Sequence, residues 1–408
     1  MRIPVSSRLA TALGIMLVGP SVVTAQTFSS GSTGADGAFA PTADVRLAVP
    51  TDGVFHFTTI AIPAGVTVSF TTPAGLRQPA ISLLATGNVI INGRLDLDGV
   101  DGGAGGFGTQ LFSNAGTAGP GGFEGGAGSN RLISPFGAAG LGPGGGAPGG
   151  ATLPGHAGHL TPGPGAEGGR AYGDERLVPL IGGSGGGGGA AQFLGVTGSG
   201  GGGGGGAVVI ATWGTLTLNG NITARGGRGG PDVTGAPAGG SGSGGAVRLA
   251  ATTLTGTGSI DVHGGPGASA GRIRVEAFTN TATLSGAPGG LTVGTPDAIS
   301  LDMVRVRIAT VAGVAAPAGP RGSYGAPDVI LPADADSPVT ITLEASQIPP
   351  GTTILVTATP LSGTAISTIS TPLTGTAAAA TATATLPIPT SQPSILSAVA
   401  SFTLASAP

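Results

Sequence analysis

Short runs of alternating apolar and polar residues fill the middle of this chain, and one of these runs recurs. Each copy consists of two brief alternating stretches separated by an Asn-Gly or Thr-Gly turn, and a further alternating strand precedes it. Because a repeated supersecondary unit of about two dozen residues is typical of solenoids, the pattern predicts coils stacked on one another. The copies are residues 88–99, 215–226 and 253–264, with a weaker fourth ending at Gly286, and the preceding strands are 81–85, 208–212, 247–251 and 273–277.

Each coil is predicted to contain three short strands joined at glycine or asparagine corners, where the backbone needs positive φ. In the second copy these strands are 208–212, 216–218 and 222–224. Three parallel strands per turn with apolar side chains inside describe a parallel β-helix, here assigned to residues 54–311. The fold class is therefore all-β. The predicted inward columns are Leu95, Ile222, Ile260 and Ala282, and Leu97, Ala224, Val262 and Leu284.

Two glycine-rich insertions interrupt this pattern, at residues 100–205 and 226–244. The chain has 83 glycines, and the longer insertion holds about half of them. Two physical states fit this composition. One is a flexible, disordered loop, and the other is a set of extended polyproline-like segments packed side by side, because glycine lets chains approach closely. An insertion of this length in a compact stack is a candidate for function in either state.

The two ends of the chain have other patterns. Residues 1–25 combine a basic start, a short apolar run and small residues before a cleavage point, which is typical of a signal peptide. Residues 26–53 are predicted to be an extended leader. A Pro/Ala/Gly linker follows at 312–326, and Thr- and Ala-rich strands predict a small immunoglobulin-like β-sandwich over 327–408.

Composition narrows the possible partners. The formal net charge is −3, and loss of Arg2 and Arg8 with the signal peptide leaves 16 − 2 = 14 basic against 19 acidic residues. A mildly acidic chain without lysine is a poor nucleic-acid binder. No segment is long and apolar enough to span a bilayer. The chain also has no cysteine, so an exported protein must rely on a large core or a long hydrogen-bond ladder instead of disulfides.

The strands, corners and glycine blocks resemble a widespread group of exported bacterial glycine-rich proteins. The β-helix of that group is similar to the one in the pectate-lyase superfamily. The resemblance covers residues 31–290 and rests on Gly34–Pro41, Asp52–Phe70 and Gly200–Gly226. It implies a right-handed parallel β-helix and carries no activity with it. Residues 327–408 resemble immunoglobulin-like appendages only in architecture.

The densest acidic cluster is Asp96, Asp98 and Asp101. Asp96 and Asp98 lie on one outward strand face, because side chains in a strand repeat every two residues, and three oxygens beside a glycine corner are candidate ligands for Ca²⁺. A solvated ladder is the main alternative: Asp98 shares a predicted column with Arg225, His263 and Ser285, in which opposite charges alternate. A second predicted column contains Asp96, Thr223, Asp261 and Thr283. A lyase-type site at this cluster is the third interpretation.

Other motifs are weaker. Arg272-Ile273-Arg274 resembles an Arg-Ile-Lys element of β-helix hydrolases, but the paired carboxylates that glycoside hydrolysis needs do not accompany it. His156 and His159 lack a third ligand and are predicted to be solvated loop residues. Residues 182–186 satisfy Gly-x-Ser-x-Gly, yet the glycines that follow cannot form the helix of a nucleophile elbow.

These observations favour a non-enzymatic secreted or cell-surface structural or adhesive protein. The β-helix is predicted to be a rigid scaffold and the glycine-rich insertion a contact surface. The expected partners are polysaccharide, the cell envelope or other copies of the chain, without nucleic acid or membrane insertion. The alternative is a polysaccharide lyase or glycoside hydrolase acting on acidic polysaccharide. Adhesion stabilised by calcium is a third hypothesis.

Overall fold

The structure is a computed structural model, which describes most of the 408 residues. The predicted signal peptide lies outside the described residues. The described ranges are 28–71, 79–107, 112–130, 134, 136–150, 153–191, 193–232, 237–286, 290–296, 299, 305–317, 320, 327–332, 334–335, 337–360, 365–389 and 391–402.

Every helix or strand among the described residues is a β-strand, as the all-β prediction requires. In chain order, the first seventeen strands are β1 (Gly37–Phe39), β2 (Val45–Ala48), β3 (Val54–Ile62), β4 (Thr67–Thr71), β5 (Ile81–Ala85), β6 (Val89–Ile91), β7 (Arg94–Asp96), β8 (Gly106–Phe107), β9 (Phe112–Ser113), β10 (Gly128–Ser129), β11 (Val196–Thr197), β12 (Ala207–Leu218), β13 (Asn221–Thr223), β14 (Ala246–Thr255), β15 (Ser259–Asp261), β16 (Arg272–Asn280) and β17 (Leu291–Gly294).

Two parallel sheets form the N-terminal part of the molecule, and together they are called the parallel stack below. The large sheet has the strand order β1-β3-β5-β12-β14-β16-β17, with β6 beside β3 and β12. The small sheet has the order β15-β13-β7-β4-β2. The sheets are separate, and neither closes on itself.

The strand register confirms that like segments stack. Ile222 pairs with Leu95 on one side and with Ile260 on the other. In the large sheet, Val208 likewise lies between Ile81 and Val247. The longer glycine-rich insertion separates β7 from β12 in sequence without shifting this register. Stacking therefore depends on the alternating apolar residues and tolerates the length of chain between coils.

The main core lies between the two parallel sheets. It contains buried residues of the large sheet, such as Ile210 and Leu216, together with Leu95 and Ile222 of the small sheet. At the first coils the rings of Phe55 and Phe57 stack with centroids 5.7 Å apart, and Phe39 and Phe70 extend this group. Four phenylalanines therefore cluster at this end of the parallel stack.

The predicted alignment of the fourth copy is wrong. Ser285 bridges to Ser259, so it does not share the column of Asp98, Arg225 and His263. The N–H of Thr283 donates to Gly256, which places Thr283 away from Asp261. Ala282 and Leu284 still pack against the core, but beside other residues than those predicted. The register is set upstream, where β16 pairs along its length with β14.

Two predicted boundaries also change. The leader assigned to residues 26–53 includes β1 and β2, which pair in parallel with β3 and β4 and so belong to the parallel stack. The strand at Arg305–Val311, predicted to end the β-helix, pairs antiparallel with Val339–Ser346. Its alternating pattern resembles that of a strand in the parallel stack, and only its pairing partner shows that it belongs to an antiparallel sheet.

The C-terminal part consists of two antiparallel sheets on a shared core. One sheet has the order β19-β18-β20-β24-β23 and the other β22-β21-β25. Inward residues of both sheets, among them Leu343, Val356 and Leu386, form a single buried cluster. The strands are β18 (Arg305–Val311), β19 (Val314–Ala315), β20 (Val339–Ser346), β21 (Ile354–Pro360), β22 (Ile366–Ile369), β23 (Thr374–Gly375), β24 (Ala380–Leu386) and β25 (Ser394–Ala400). Nowhere in the described ranges does a helix occur that is long and apolar enough to cross a membrane.

Candidate functional site

The longer glycine-rich insertion is ordered in its described parts, and residues 198–206 run through its centre as an extended segment. Successive N–H groups of this segment donate to three different neighbouring segments, and the cycle repeats every three residues. The donor and acceptor pairs are Gly201 to Gly126 (2.8 Å), Gly202 to Gly240 (2.9 Å), Gly203 to Val100 (3.0 Å), Gly204 to Phe123 (2.9 Å), Gly205 to Ser243 (2.9 Å) and Gly206 to Leu97 (2.7 Å).

The carbonyl groups of the same segment follow the same cycle with three other neighbours. They accept from the N–H groups of Gly116, Gly186 and Gly227, which bond to the oxygens of residues 201, 202 and 203 respectively. Six segments therefore surround the central one. Polyproline II segments have three residues per turn and no internal hydrogen bonds. The period of three, with every hydrogen bond formed between different segments of the chain, is the geometry expected for them. Of the two predicted states, the packed one is observed.

Glycine is required inside this assembly because the backbones are in contact. A Cβ atom built on Gly201 would collide with the carbonyl oxygen of Gly186, and one on Gly204 would collide with that of Gly183. Any side chain at these positions would push neighbouring segments apart and break their hydrogen bonds. The assembly is called the glycine bundle here, and comprises residues 99–107, 112–130, 136–150, 153–169, 182–191, 193–206, 226–232 and 237–245.

The glycine bundle has one end on the parallel stack and one end away from it. Gly206 bonds to Leu97 and is followed directly by β12, whereas Gly198, at the other end of the segment, bonds to Ser129. Gly245 likewise leads directly into β14. The strands of the large sheet thus continue as bundle segments, which fixes the bundle rigidly to the stack.

Apolar side chains are exposed at the end of the bundle away from the stack. Phe107 is 74% exposed and belongs to a strand that pairs with Val196. Leu194 is 70% exposed and lies two residues before Val196. With Phe193, which is also exposed, these residues define the distal apolar tip. Exposed aromatic and leucine side chains grouped at one end of a rigid element are typical of an interaction surface.

The predicted acidic cluster forms ion pairs with arginine. The carboxylate of Asp98 lies 2.7 Å from the guanidinium of Arg225 and 2.9 Å from that of Arg94. The hydrogen bond to Asp98 raises the pKa of Arg225, and nearby Asp261, at 4.0 Å, acts in the same direction. The alternation of charge predicted along this column is confirmed for Asp98 and Arg225.

Two further carboxylates, those of Asp261 and Asp101, accept hydrogen bonds from other donors. Asp261 accepts hydrogen bonds from the backbone and ring of His263. Burial acts to raise the pKa of Asp261, but these hydrogen bonds outweigh it, so the pKa is lowered. Asp101 accepts from the N–H of Arg228. In the part of the chain that the structure describes, no three His, Cys, Asp or Glu side chains converge as a metal site would require. Calcium binding by Asp96, Asp98 and Asp101 stays a prediction. In this structure the carboxylates of these residues accept hydrogen bonds from protein donors.

A cavity of about 430 Å³ opens beside this cluster. It lies where β4 and β7 separate after the pair Val68 and Leu95. Arg46, Asp96 and Asp98 line it together with hydroxyl residues such as Thr117. Its volume is within the range of small-molecule sites, roughly 300–1,000 Å³.

The Arg272-Ile273-Arg274 element is structural. Ile273 is buried in the core, and both arginines lie on the outward face of the large sheet. Arg274 and Arg248 both bond to Glu276, at 3.1 and 2.9 Å, in an almost fully buried group. Arg272 donates to the carbonyl of Tyr172 in the insertion. The Arg272 contact joins the stack to the insertion, and the two contacts with Glu276 lie within the large sheet.

The two histidines of the insertion are less solvated than predicted, and the prediction is wrong for His159. His159 is 1% exposed, its Nδ1 lies 2.7 Å from the Gly244 carbonyl, and its ring stacks on Tyr172 at 4.4 Å. Burial lowers the pKa of His159 to about 4. His156 is half-buried, and burial lowers its pKa as well. Both rings are part of the packing of the bundle.

The Gly-x-Ser-x-Gly match at residues 182–186 is also structural. Ser184 is buried, and its hydroxyl donates to Tyr172 at 3.1 Å. Its N–H donates to the hydroxyl of Ser243. The segment is extended and has no helix after it, so no nucleophile elbow forms. Tyr172 connects Ser184, His159 and Gly182, a role that no periodic pattern along the chain predicts.

Neither a protein-family model, nor a curated protein, nor a solved structure matches this chain. By its geometry the molecule is an all-β protein with a parallel stack that carries a glycine bundle.

Proposed function

We propose that the protein is a non-enzymatic secreted or cell-surface structural or adhesive protein. In this proposal the parallel stack is a right-handed β-helix, like that of the exported glycine-rich proteins and the pectate-lyase superfamily, and it serves as a rigid scaffold. The glycine bundle is the contact surface. The C-terminal sheets form an immunoglobulin-like β-sandwich that attaches the protein or extends its reach.

The distal apolar tip is the observation that carries this proposal. Removing apolar surface from water stabilises a complex by roughly 25 cal/mol for each Å². Burying the exposed phenylalanine and leucine side chains against a partner is therefore favourable. The bundle beneath the tip is rigid, because its segments are held by hydrogen bonds on all sides. A rigid support lowers the entropy lost on binding. Polysaccharide, the cell envelope and further copies of this chain are the proposed partner classes.

The test compares the full chain with a double variant, Phe107→Ser with Leu194→Ser. Both proteins are applied to a glycan array and to envelope fractions, and their self-association is measured by sedimentation. The double variant should lose binding to whichever partner the full chain recognises. A matched control, Ile330→Ser with Ile369→Ser, removes equally exposed apolar side chains from the C-terminal part and should bind normally. Equal binding by all three proteins would contradict the proposal.

The cavity between Arg46, Asp96 and Asp98 favours one second candidate, a polysaccharide lyase or glycoside hydrolase acting on acidic polysaccharide. Arg46 would contact a sugar carboxylate there, and Asp96 would act on a sugar proton. This candidate predicts depolymerisation of pectin or alginate that Asp96→Asn abolishes. Product release unaffected by Asp96→Asn would remove the cavity from consideration.

A further inference from the structure

Beyond the register shift between Thr212 and Thr215, the outward face of the large sheet carries a regular two-column array of threonines. Three successive coils contribute the sequence Thr-x-Thr, at 215–217, 253–255 and 279–281. Thr215 pairs with Thr253, and Thr253 pairs with Thr279. Thr217 pairs with Thr255, and the N–H of Thr281 continues the ladder by donating to Leu254. This threonine face consists of Thr215, Thr217, Thr253, Thr255, Thr279 and Thr281.

Parallel stacking fixes the spacing of the threonine face. Neighbouring strands lie about 4.8 Å apart, and residues two apart along a strand lie about 6.7 Å apart. Threonine has few χ1 rotamers in a strand, so the hydroxyl and methyl groups repeat with the backbone. The array is therefore a regular two-dimensional lattice whose order is set before any ligand arrives.

The face is uncharged and its hydroxyls are available. In the next coil towards the N-terminus the equivalent positions are Asn88 and Ile90, both exposed and uncharged. Among the described residues only Thr281 of the six directs its hydroxyl to a protein acceptor, the carbonyl of Leu254. The other five hydroxyls are left to order water. A charged side chain would instead hold its own hydration shell, which does not follow the lattice.

We propose that the threonine face binds the surface of ice. The strand separation and the two-residue rise lie close to two oxygen repeats of hexagonal ice, so one water ordered by each hydroxyl occupies a lattice position. Water-mediated contacts cost little when the waters are already ordered. The methyl groups between the hydroxyls pack against the spaces in the lattice. This face is separate from the distal apolar tip, so the inference does not depend on the proposed function.

The test measures inhibition of ice recrystallisation, and incorporation into a growing ice hemisphere, by the full chain. The unmodified protein should slow crystal coarsening relative to serum albumin at equal mass concentration. A variant with Thr217→Lys and Thr255→Lys should lose this effect, as should Thr255→Lys alone, which places no like charges side by side. Melting curves confirm that each variant is folded.

A matched control changes the paired threonines of the C-terminal sheet, Thr342→Lys with Thr383→Lys, and should retain the effect. Three outcomes would overturn the proposal. The unmodified chain has no more effect than albumin; or a folded Thr255→Lys variant is as active as the unmodified chain; or the protein binds powdered cellulose or chitin through these threonines and leaves ice growth unchanged.

Discussion

The parallel stack and the glycine bundle both hold the chain in one conformation. The stack does so mainly with buried apolar side chains, and the bundle does so with backbone hydrogen bonds. In the stack, backbone hydrogen bonds run between two neighbouring strands, and apolar side chains such as Ile222 fill the space inside. In the bundle, a segment such as 198–206 bonds to six neighbours, and there is no space for a Cβ atom at positions such as Gly201 and Gly204. The stack is stabilised by buried apolar area, whereas the bundle replaces that area with a dense hydrogen-bond network. A chain without cysteine therefore holds a long glycine-rich segment in one conformation.

This contrast makes the stack the region most sensitive to loss of side-chain volume. Ile222→Ala leaves a cavity between Leu95 and Ile260 and should lower the free energy of unfolding by about 3–4 kcal/mol. Chemical denaturation followed by circular dichroism measures the change. Thr217→Ala, on the outward face of the same sheet system, is the control and should cost about 1 kcal/mol or less. Equal losses for the two variants would mean that the column is not a packed core.

We expect the junction between the two regions to lose stability in acid. His159 contacts Gly244 of the bundle and stacks on Tyr172, whose carbonyl accepts from Arg272 of the stack. Its pKa in the folded protein is about 4, below the ordinary value of 6.5, because burial disfavours the charged ring. The stabilising contribution of the neutral ring is therefore complete above pH 6.5 and is lost as the pH falls towards 4.

Linkage then predicts a loss of about 3 kcal/mol between pH 7 and pH 4 from this group. Unfolding free energies measured across that range give the slope. His159→Gln cannot titrate, so the variant should show a flatter profile than the unmodified chain. His156→Gln, which changes a half-buried ring, should flatten the profile less. Parallel profiles for His159→Gln and the unmodified chain would contradict the assignment.

The bundle should be sensitive to added volume where the stack is sensitive to lost volume. Gly201→Ala places a Cβ against the Gly186 carbonyl and should cost about 2 kcal/mol through overpacking. Amide exchange of residues 198–206 should accelerate locally, while exchange in β12 and β14 should change little. Gly103→Ala is the control, because its nearest contact would be Asn114 at 3.1 Å, and it should cost less. Unchanged exchange in Gly201→Ala would mean that the segments are not in contact.

The sequence predicted the stack better than the bundle for a physical reason. Apolar side chains at every second position give the stack a pattern that fixes both strand and register, as Leu95, Ile222 and Ile260 show. The fourth coil was misaligned because its residues 281–286 have only Ala282 and Leu284 as apolar markers. Glycine has no side chain, so a disordered loop and a packed bundle have the same composition.

The candidate site shows the same limit. Asp98 and Arg225 could be predicted as an ion pair because they occupy equivalent positions in two coils. The distal apolar tip could not, since Phe107 and Leu194 lie in glycine-rich stretches far apart in sequence. Only the pairing of β8 with β11 brings them to one end of the bundle.

The smallest expected effect concerns the charged ladder on the outside of the stack. Arg225→Ala removes the partner of Asp98, but the pair is partly solvated and Arg94 remains bonded to the same carboxylate. The free energy of unfolding should fall by only about 0.5 kcal/mol, and less at high salt. Denaturation at low and high ionic strength measures both values. Arg248→Ala is the informative comparison, because it leaves buried Glu276 with one arginine fewer and should cost several times more at either ionic strength. If the two variants lose the same free energy of unfolding, burial does not determine how much a charged pair on the stack contributes to stability. Side-chain packing would then not be what distinguishes the stack from the bundle.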